Sequence, residues 1–262
     1  MEKFLEKLWQ NYINMNNGVL EIHNLIKKYE QTELKNDHIA FRLIKQSKIN
    51  IKSITPELEK LGYIKKDSYI FDLKKLDAVH FEHIDKKYPK LFISEIDLNK
   101  LSKKANSMIF GIMNSLSKHE INLNSLLIGR LWDINYKIYQ ELYKESEYLA
   151  WIYAFGIIPN HFTVSVNDLK KLNTINKIND FLLQKNIVLN KSGGLIKGTE
   201  KEGLMQSSTM AFEVDVKFKE GIYKIPCSYY EFAKRFKVDG ILFQKFISKS
   251  ADKIFESTNK KR

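Results

Sequence analysis

The sequence predicts an α+β protein in which two βαβββ-type modules form one curved mixed sheet around a cavity, with a helical N-terminus and a helical insert. Residues 36–42 and 159–166 each carry an Asn shortly before a His and then alternate apolar and polar side chains, as a strand does. Each stretch is followed by a helical segment and then by strand-like runs, which indicates an internal repeat. Between the two units, residues 98–156 carry apolar side chains at helical spacing.

Composition indicates the class of protein. The chain has 262 residues, of which 44% are hydrophobic and 28% charged, as in globular proteins with a sizeable core. With the single cysteine Cys227 no internal disulfide can form, so a cytoplasmic location is expected. No apolar run reaches the length of a membrane span, so no membrane partner is expected. We expect a monomer or a weak homo-oligomer.

The net charge of +12 is compatible with nucleic-acid binding. The lysines are nevertheless spread through the chain, apart from the basic tail at residues 259–262. The aromatic residues are not interleaved with them as a base-stacking surface requires. The expectation is therefore that nucleic acid is not a partner.

The elements follow in order from periodicity and turn residues. Residues 1–35 are predicted to be helical with a break at 16–18. Residues 54–62 are predicted to form a short helix that Thr55 caps and Gly62 ends. The remaining predicted elements are strand-like runs at 63–73, 78–84, 90–97, 206–218 and 222–233, and a helix at 168–186.

One domain is expected over residues 1–262. Its predicted parts are a first module at 36–97, the helical insert at 98–156, a second module at 157–240 and a C-terminal segment at 241–262. The last strands of the modules align loosely, which predicts that Glu95 and Glu231 occupy equivalent positions.

The repeat brings two histidines together. His38 and His161 lie at the same point of each unit, and Glu231 on the last strand of the second unit is the natural third ligand. Two His and one carboxylate on one face of a metal are typical of non-haem Fe(II) enzymes. Two alternatives stay open: Glu213 is a competing carboxylate, and residues 229–235 could form a helix in which Glu231 is not a ligand.

Arginine is rare in this lysine-rich chain, since only Arg42, Arg130, Arg235 and Arg262 occur. A retained internal Arg suggests a need for planar, bidentate carboxylate binding, which makes Arg42 and Arg235 functional candidates. Arg42 falls on the same strand face as His38, ~13 Å along the strand. Arg130 is interpreted as part of a buried structural ion pair.

The other candidate residues receive structural interpretations. His80 and His83 fall on opposite faces of a strand, so joint metal binding is not expected. His23 and His119 lie in polar helical surroundings and are predicted at the surface. Cys227 is interpreted as a packing residue.

Six segments, taken together and in order, resemble the DUF1338 family, whose characterised members are 2-oxoadipate dioxygenase/decarboxylases. The segments are Asn36–Arg42, Pro89–Leu98, Asn160–Thr163, Gln206–Ala211, Ile225–Phe236 and Ser250–Thr258. The resemblance covers residues 20–258 and implies a vicinal-oxygen-chelate-type fold.

The resemblance also implies an active site. It implies Fe(II), or another divalent metal in the protein as isolated, held by His38, His161 and Glu231. Arg42 would bind the distal carboxylate of the substrate, and Ser250 would lie close to the substrate. The implied partners are a dicarboxylic 2-oxo acid and O2, with 2-oxoadipate giving 2-hydroxyglutarate and CO2.

Two alternatives to this activity remain. One is a lyase, isomerase or hydrolase that uses a different divalent metal on the same scaffold, which would consume no oxygen. The other is a basic nucleic-acid-binding protein without enzymatic activity, for which affinity would fall steeply with salt.

Overall fold

A seven-stranded mixed sheet forms the centre of the protein in a computed structural model that describes residues 1–258. The predicted basic tail 259–262, with Arg262, lies outside the described residues. The strands are β1 (Asn36–Ile44), β2 (Tyr63–Phe71), β3 (Leu76–His83), β4 (Lys90–Ile96), β5 (Pro159–Ser165), β6 (Leu204–Ser208), β7 (Glu213–Phe218), β8 (Gly221–Pro226), β9 (Tyr229–Arg235), β10 (Lys237–Val238) and β11 (Ile241–Leu242). The helices are α1 (Glu2–Met15), α2 (Asn17–Glu30), α3 (Ile51–Lys60), α4 (Lys103–Met108), α5 (Phe110–Ser117), α6 (Tyr136–Glu145), α7 (Glu147–Phe155), α8 (Ile175–Gln184) and α9 (Ser248–Ile254).

The strand order brings the first strands of both repeat units to the middle of the sheet. The order is β2-β3-β4-β1-β5-β9-β6. Strand β1 runs parallel to β4, and β5 runs parallel to β9, whereas the central pair β1 and β5 is antiparallel. Ala40 pairs with His161 across this junction. The predicted α+β class with a mixed, curved sheet is confirmed.

The first unit has the order β1-α3-β2-β3-β4, but its helix begins earlier than predicted. Asn50 caps α3: its side chain accepts from the Ser53 amide at 2.9 Å, and the Ser53 hydroxyl accepts from the Asn50 amide at 3.0 Å. Thr55 is not the cap but lies inside the helix, where its hydroxyl donates to the Ile51 carbonyl at 2.7 Å. The reciprocal pair satisfies backbone donors one turn before the predicted start.

The second unit departs from the predicted strands. The runs 206–218 and 222–233 each break into two strands. Strands β6 and β9 join the central sheet, whereas β7 and β8 form a separate hairpin. No helix or turn is assigned at either break, so the sequence pattern carries no signal for the change of pairing partner.

The helical predictions are confirmed in outline. Helices α1 and α2 separate at Asn16, whose side-chain amide donates to the Ser228 carbonyl at 2.9 Å. The segment 98–156 contains α4 to α7. Helix α8 is shorter than the predicted 168–186, because Thr174 caps it and a 3-10 turn precedes it. No helix within residues 1–258 is long and apolar enough to cross a bilayer.

Strand β1 is buried on both of its faces. Ile39, Phe41 and Leu43 belong to the hydrophobic core. His38 and Arg42 alternate with them and are also buried, with exposed fractions of 2% and 1%. Buried polar side chains require partners, so the residues that contact His38 and Arg42 mark a candidate functional site.

Candidate metal centre

His38, His161 and Glu231 meet on adjacent central strands. Pairing between β5 and β9 places Glu231 opposite Thr163, next to His161, and β1 presents His38 from the other side. The Nε2 atoms of His38 and His161 lie 3.6 Å and 3.1 Å from the Glu231 carboxylate oxygens. One ligand atom from each residue lies within 4.8 Å of the others, and all three residues are buried. The structure thus brings together the three residues that the repeat predicts.

The charges of the triad suit a divalent cation. Burial raises the pKa of the Glu231 carboxyl, but the two imidazoles outweigh that effect and the pKa lies below its usual value. Burial also lowers the pKa of His161, against the opposing charge of Glu231. A carboxylate and a neutral imidazole are the protonation states that bind metals.

The donor atoms fit a metal ion in a second respect. Glu231 Oε1 accepts from the Gln206 amide at 2.5 Å, whereas Glu231 Oε2 lies 3.1 Å from His161 Nε2 but makes no well-aligned hydrogen bond among the described residues. A buried carboxylate oxygen without a well-aligned donor is costly, and a cation bound between Glu231 and the imidazoles would satisfy it.

The ring orientation of His38 is fixed by neighbours on both sides. Its Nδ1 donates to Asp37 Oδ1 at 2.8 Å, and its Nε2 accepts from the Thr163 hydroxyl at 3.0 Å. Asp37 in turn accepts from Arg235 at 2.6 Å and 2.9 Å. Burial would raise the pKa of Asp37, but the Arg235 guanidinium outweighs it and holds the pKa well below its usual range. Arg235 is thus part of a buried ion pair behind His38.

His161 has a different environment. Its Nδ1 lies 3.1 Å from the amide oxygen of Asn160, the residue that precedes it. The Tyr229 ring stacks on the imidazole with 4.6 Å between centroids. The Tyr229 hydroxyl has no hydrogen-bond partner in the described part of the chain.

The C-terminal segment closes the space above the triad. A cavity of about 20 Å³ remains there. Its walls are His38, Phe92, His161, Gln206, Glu231, Phe246, Ala251, Ile254 and Phe255. Helix α9 and the residues on either side of it therefore form the cover of the site.

Comparison with known proteins assigns the chain to a family. The family profile described as 2-oxoadipate dioxygenase/decarboxylase matches residues 4–127 and 114–240. The chain belongs to this family. The chloroplastic 2-oxoadipate dioxygenase/decarboxylase of Arabidopsis thaliana is 33% identical, over 94% of this chain and 74% of the plant protein.

Solved structures agree with this assignment. The hydroxyglutarate synthase of Oryza sativa, crystallised in complex with 2-oxoadipate, is 30% identical, with a TM-score of 0.91, over 98% of this chain and 91% of that one. A glyoxalase-superfamily protein from Ralstonia eutropha is 17% identical with a TM-score of 0.76, which shows the fold alone. The 2-oxoadipate dioxygenase/decarboxylase family thus has a fold like that of vicinal-oxygen-chelate proteins, as the resemblance implied.

Arg42 of this family member is buried and paired in the structure. Its Nη1 donates to Glu147 at 2.8 Å and its Nη2 to the Thr258 hydroxyl at 2.9 Å. The guanidinium lies over the rings of Tyr148 and Trp151, at 4.9 Å and 5.2 Å. Its Nε has no hydrogen-bond partner among the described residues.

The two candidate carboxylates lie in different parts of the structure. Glu213 lies exposed on the β7–β8 hairpin, which is separate from the central sheet, and residues 229–235 form a strand rather than a helix. The predicted equivalence of Glu95 and Glu231 is wrong. His38 pairs with Lys90 as His161 pairs with Tyr229, so by position Phe92 matches Glu231.

Glu95 has a structural role instead, because its carboxylate accepts from the Ile51 amide at the start of α3, at 2.9 Å. The loose alignment of the last strands was three positions out of register with the pairing. Both strands are buried on both faces, so neither has the apolar–polar alternation that would have fixed the register.

Other predicted residues fall into two groups. Ser250 is buried on α9, beside the cavity-lining Ala251, and Cys227 is buried as predicted. Arg130 is exposed and donates to the Trp132 carbonyl at 2.9 Å, so the predicted buried ion pair is wrong.

The remaining histidines also differ from expectation in part. His23 and His119 are half-buried rather than at the surface, and His23 Nδ1 lies 2.9 Å from the Tyr230 hydroxyl. His80 contacts the Tyr69 hydroxyl at 2.9 Å, whereas His83 contacts the Leu61 carbonyl at 2.8 Å, so the pair does not share a site.

Sequence reasoning gave no role to Asp37, Gln206 or Phe246. Asp37 directly precedes His38, and Asn160 directly precedes His161. This matched position in the repeat was the one available signal, since it places a hydrogen-bond acceptor beside each imidazole.

Proposed function

We propose that this protein is an Fe(II)-dependent dioxygenase/decarboxylase that converts 2-oxoadipate and O2 into 2-hydroxyglutarate and CO2. The observation that carries the proposal is the buried His38, His161 and Glu231 cluster in a chain of the 2-oxoadipate dioxygenase/decarboxylase family. In the balance, the carboxylate next to the 2-oxo group leaves as CO2 with its own two oxygen atoms, and both oxygen atoms of O2 enter 2-hydroxyglutarate, one in its new carboxylate and one in its hydroxyl.

The three ligands would hold the metal from one side. Two neutral imidazoles and one carboxylate would leave a divalent ion with net positive charge, and the ion would supply the Lewis acidity and the oxygen chemistry that a 2-oxo acid needs. Gln206 would keep Glu231 in place through its hydrogen bond to Oε1. The protein's own task is then to orient the substrate and to exclude water.

Arg42 would bind the distal carboxylate of the substrate. It lies on the same face of β1 as His38, ~13 Å along the strand, and its long side chain spans part of that distance. Substrate would replace Glu147 or Thr258 as a partner of the guanidinium, whose Nε is also available. The rings of Tyr148 and Trp151 keep the Arg42 guanidinium in an orientation that suits a planar carboxylate.

The C-terminal segment would have to move when substrate binds. A six-carbon dicarboxylate is much larger than the cavity of about 20 Å³ above the triad. A second cavity of about 210 Å³ opens at the surface beside Lys74, Lys75 and Lys144, and Phe255 lines both cavities. We place the access route at Phe255, with Ser250 on α9 adding a polar contact after closure.

The test is oxygen uptake by anaerobically Fe(II)-loaded protein on addition of 2-oxoadipate, with CO2 and 2-hydroxyglutarate measured in parallel. Glu231→Gln and Glu213→Gln remove the same charge from the triad and from the exposed hairpin. We expect stoichiometric uptake and CO2 release, lost in Glu231→Gln and in His161→Ala and retained in Glu213→Gln. Protein that binds Fe(II) but consumes no oxygen with 2-oxoadipate would refute the proposed reaction.

A further inference from the structure

The two histidines of the triad occupy matching positions in the repeat but have unlike partners. The residue before His38 is Asp37, and the residue before His161 is Asn160. Both side chains meet the Nδ1 atom of the following histidine, at 2.8 Å and 3.1 Å. One imidazole therefore faces a carboxylate, and the other faces a neutral amide.

The Asp37 carboxylate, which contacts His38, is fixed in turn by Arg235 and its neighbours. Arg235 gives it two hydrogen bonds from Nε and Nη2, and the remaining Nη1 donates to the carbonyls of Phe243 and Lys245 at 3.2 Å and 2.8 Å. The Phe246 ring packs on the Arg235 guanidinium at 5.1 Å and edge-on against the His38 ring at 4.8 Å. The side chains of Asp37 and Arg235 are only 7% and 3% exposed.

We propose that Asp37 and Arg235 are positioning residues that fix the orientation and tautomer of His38 and thereby set the affinity of the metal centre. This inference rests on the metal site of the proposed function. It adds a charged pair, contributed by both repeat units, that does not itself touch the metal or the substrate.

The physical argument concerns the proton on His38. An ionised carboxylate can only accept, so the proton lies on Nδ1 and the lone pair of Nε2 stays directed at the triad. In that tautomer the Thr163 hydroxyl, 3.0 Å from Nε2, acts as the donor. Hydrogen bonding of a ligating histidine to a carboxylate also raises its basicity, and loss of such partners typically lowers metal affinity about 10- to 100-fold.

Asn160 cannot do the same for His161. Its side-chain amide offers both a donor and an acceptor, so it does not dictate which nitrogen of His161 carries the proton. Its Nδ2 has no hydrogen-bond partner among the described residues. His38 is thus the preorganised ligand, and His161 is oriented mainly by stacking on Tyr229.

The experiment measures binding of Co(II), a spectroscopic probe, by titration of apo protein with absorption and calorimetric detection. The first variant is Asp37→Asn, which keeps the shape of the side chain and removes its charge. The second is Arg235→Lys, which keeps the positive charge and removes the planar guanidinium that makes two hydrogen bonds to Asp37. The matched control is Asp97→Asn, since the Asp97 side chain is 12% exposed and bonds to Gln46, away from the triad.

We expect the dissociation constant for Co(II) to rise about 10- to 100-fold in Asp37→Asn and by a smaller factor in Arg235→Lys, with a changed Co(II) absorption spectrum. Asp97→Asn should bind as the wild type does. A purely structural role would lower the apo melting temperature of Asp37→Asn and leave both the dissociation constant and the spectrum unchanged, and that result would overturn the inference. If Asp37→Asn does not fold, Arg235→Lys decides by the same criteria.

The wild-type titration separates this inference from the proposed function. Wild-type protein that binds no divalent metal refutes the metal centre and, with it, the role of the pair. Wild-type protein that binds Co(II), with Asp37→Asn binding equally well, refutes the positioning role alone.

Discussion

The buried Arg42 guanidinium lies over two aromatic rings, and one of its terminal nitrogens donates to Glu147 and the other to Thr258. Arg42→Lys keeps the positive charge but loses the bidentate geometry that a carboxylate requires. Hydrogen bonds to charged groups contribute about 1.5–3 kcal/mol, so we expect kcat/KM for 2-oxoadipate to fall about 10- to 100-fold.

Arg130→Lys is the matched control for this prediction, because it makes the same change at an exposed arginine. It should leave kcat/KM unchanged. Steady-state oxygen uptake measures both variants, and Co(II) binding checks that the triad is intact. Near-normal turnover of 2-oxoadipate by Arg42→Lys would contradict the assigned role.

Gly156 joins α7 to the residues before β5, which carries His161. Its φ is +77°, and a Cβ there would lie 2.0 Å from the Gly129 carbonyl oxygen. Because that atom is backbone, Gly156→Ala combines strain with a steric clash, and we expect a loss of more than about 2 kcal/mol of unfolding free energy.

Gly111→Ala is the control for that substitution. A Cβ at Gly111 on α5 meets nothing within 4 Å, so helix propensity should make the change neutral or stabilising by up to about 1 kcal/mol. Urea unfolding of both variants measures the difference. Equal stabilities would show that the contact with Gly129 relaxes without cost.

The site residues that the sequence could predict are those with an internal copy. His38 and His161 stand at matching positions, and the scarcity of arginine drew attention to Arg42 and Arg235. Asp37 could not be paired with Arg235 in advance, because 198 residues separate them and their contact depends on the register of the central strands. His23 was predicted at the surface because helical periodicity does not show that Trp9 and Tyr230 pack against it.

Among the elements, strands flanked by clear turns were predictable and inserted ones were not. The runs at 63–73, 78–84 and 90–97 correspond to β2, β3 and β4. The β7–β8 hairpin was missed because an inserted hairpin keeps the alternation of its neighbours. The start of α3 was misplaced because Thr55 and Pro56 resemble a helix start, whereas Asn50 and Ser53 satisfy the cap.

Helix α9 and the residues after it are held closed in part by an ion pair. Lys74 contacts Glu256 at 2.5 Å, beside Phe255. If this segment opens for substrate, either Lys74→Gln or Glu256→Gln should favour opening. A partly exposed ion pair contributes up to about 1 kcal/mol, so the association rate of 2-oxoadipate should rise about two- to fivefold.

The two variants change the local charge in opposite directions, which separates opening from electrostatic attraction of the dianion. Stopped-flow binding measures the rate, and Lys60→Gln, which breaks an exposed pair with Glu57, is the control. Opposite effects of Lys74→Gln and Glu256→Gln would indicate attraction alone and would contradict the opening role.

At the scale of the whole molecule, the triad joins the two repeat units. His38 comes from the first unit, and His161 and Glu231 come from the second, across the antiparallel junction of β1 and β5. The buried Asp37–Arg235 pair crosses the same junction. Separation of the units would therefore break both the metal site and the ion pair, so metal binding and folding should be coupled.

Removal of the metal should accordingly lower the stability of the entire protein. A ligand that binds only the folded state at 100 times its dissociation constant adds about 2.7 kcal/mol, which corresponds to about 5–10 °C in Tm for a chain of this size. We expect a chelator to lower the Tm of metal-loaded wild type by that amount and to leave His161→Ala unchanged. Differential scanning calorimetry measures both. An equal Tm with and without chelator, in protein shown to bind the ion, would mean that the triad does not couple the two units.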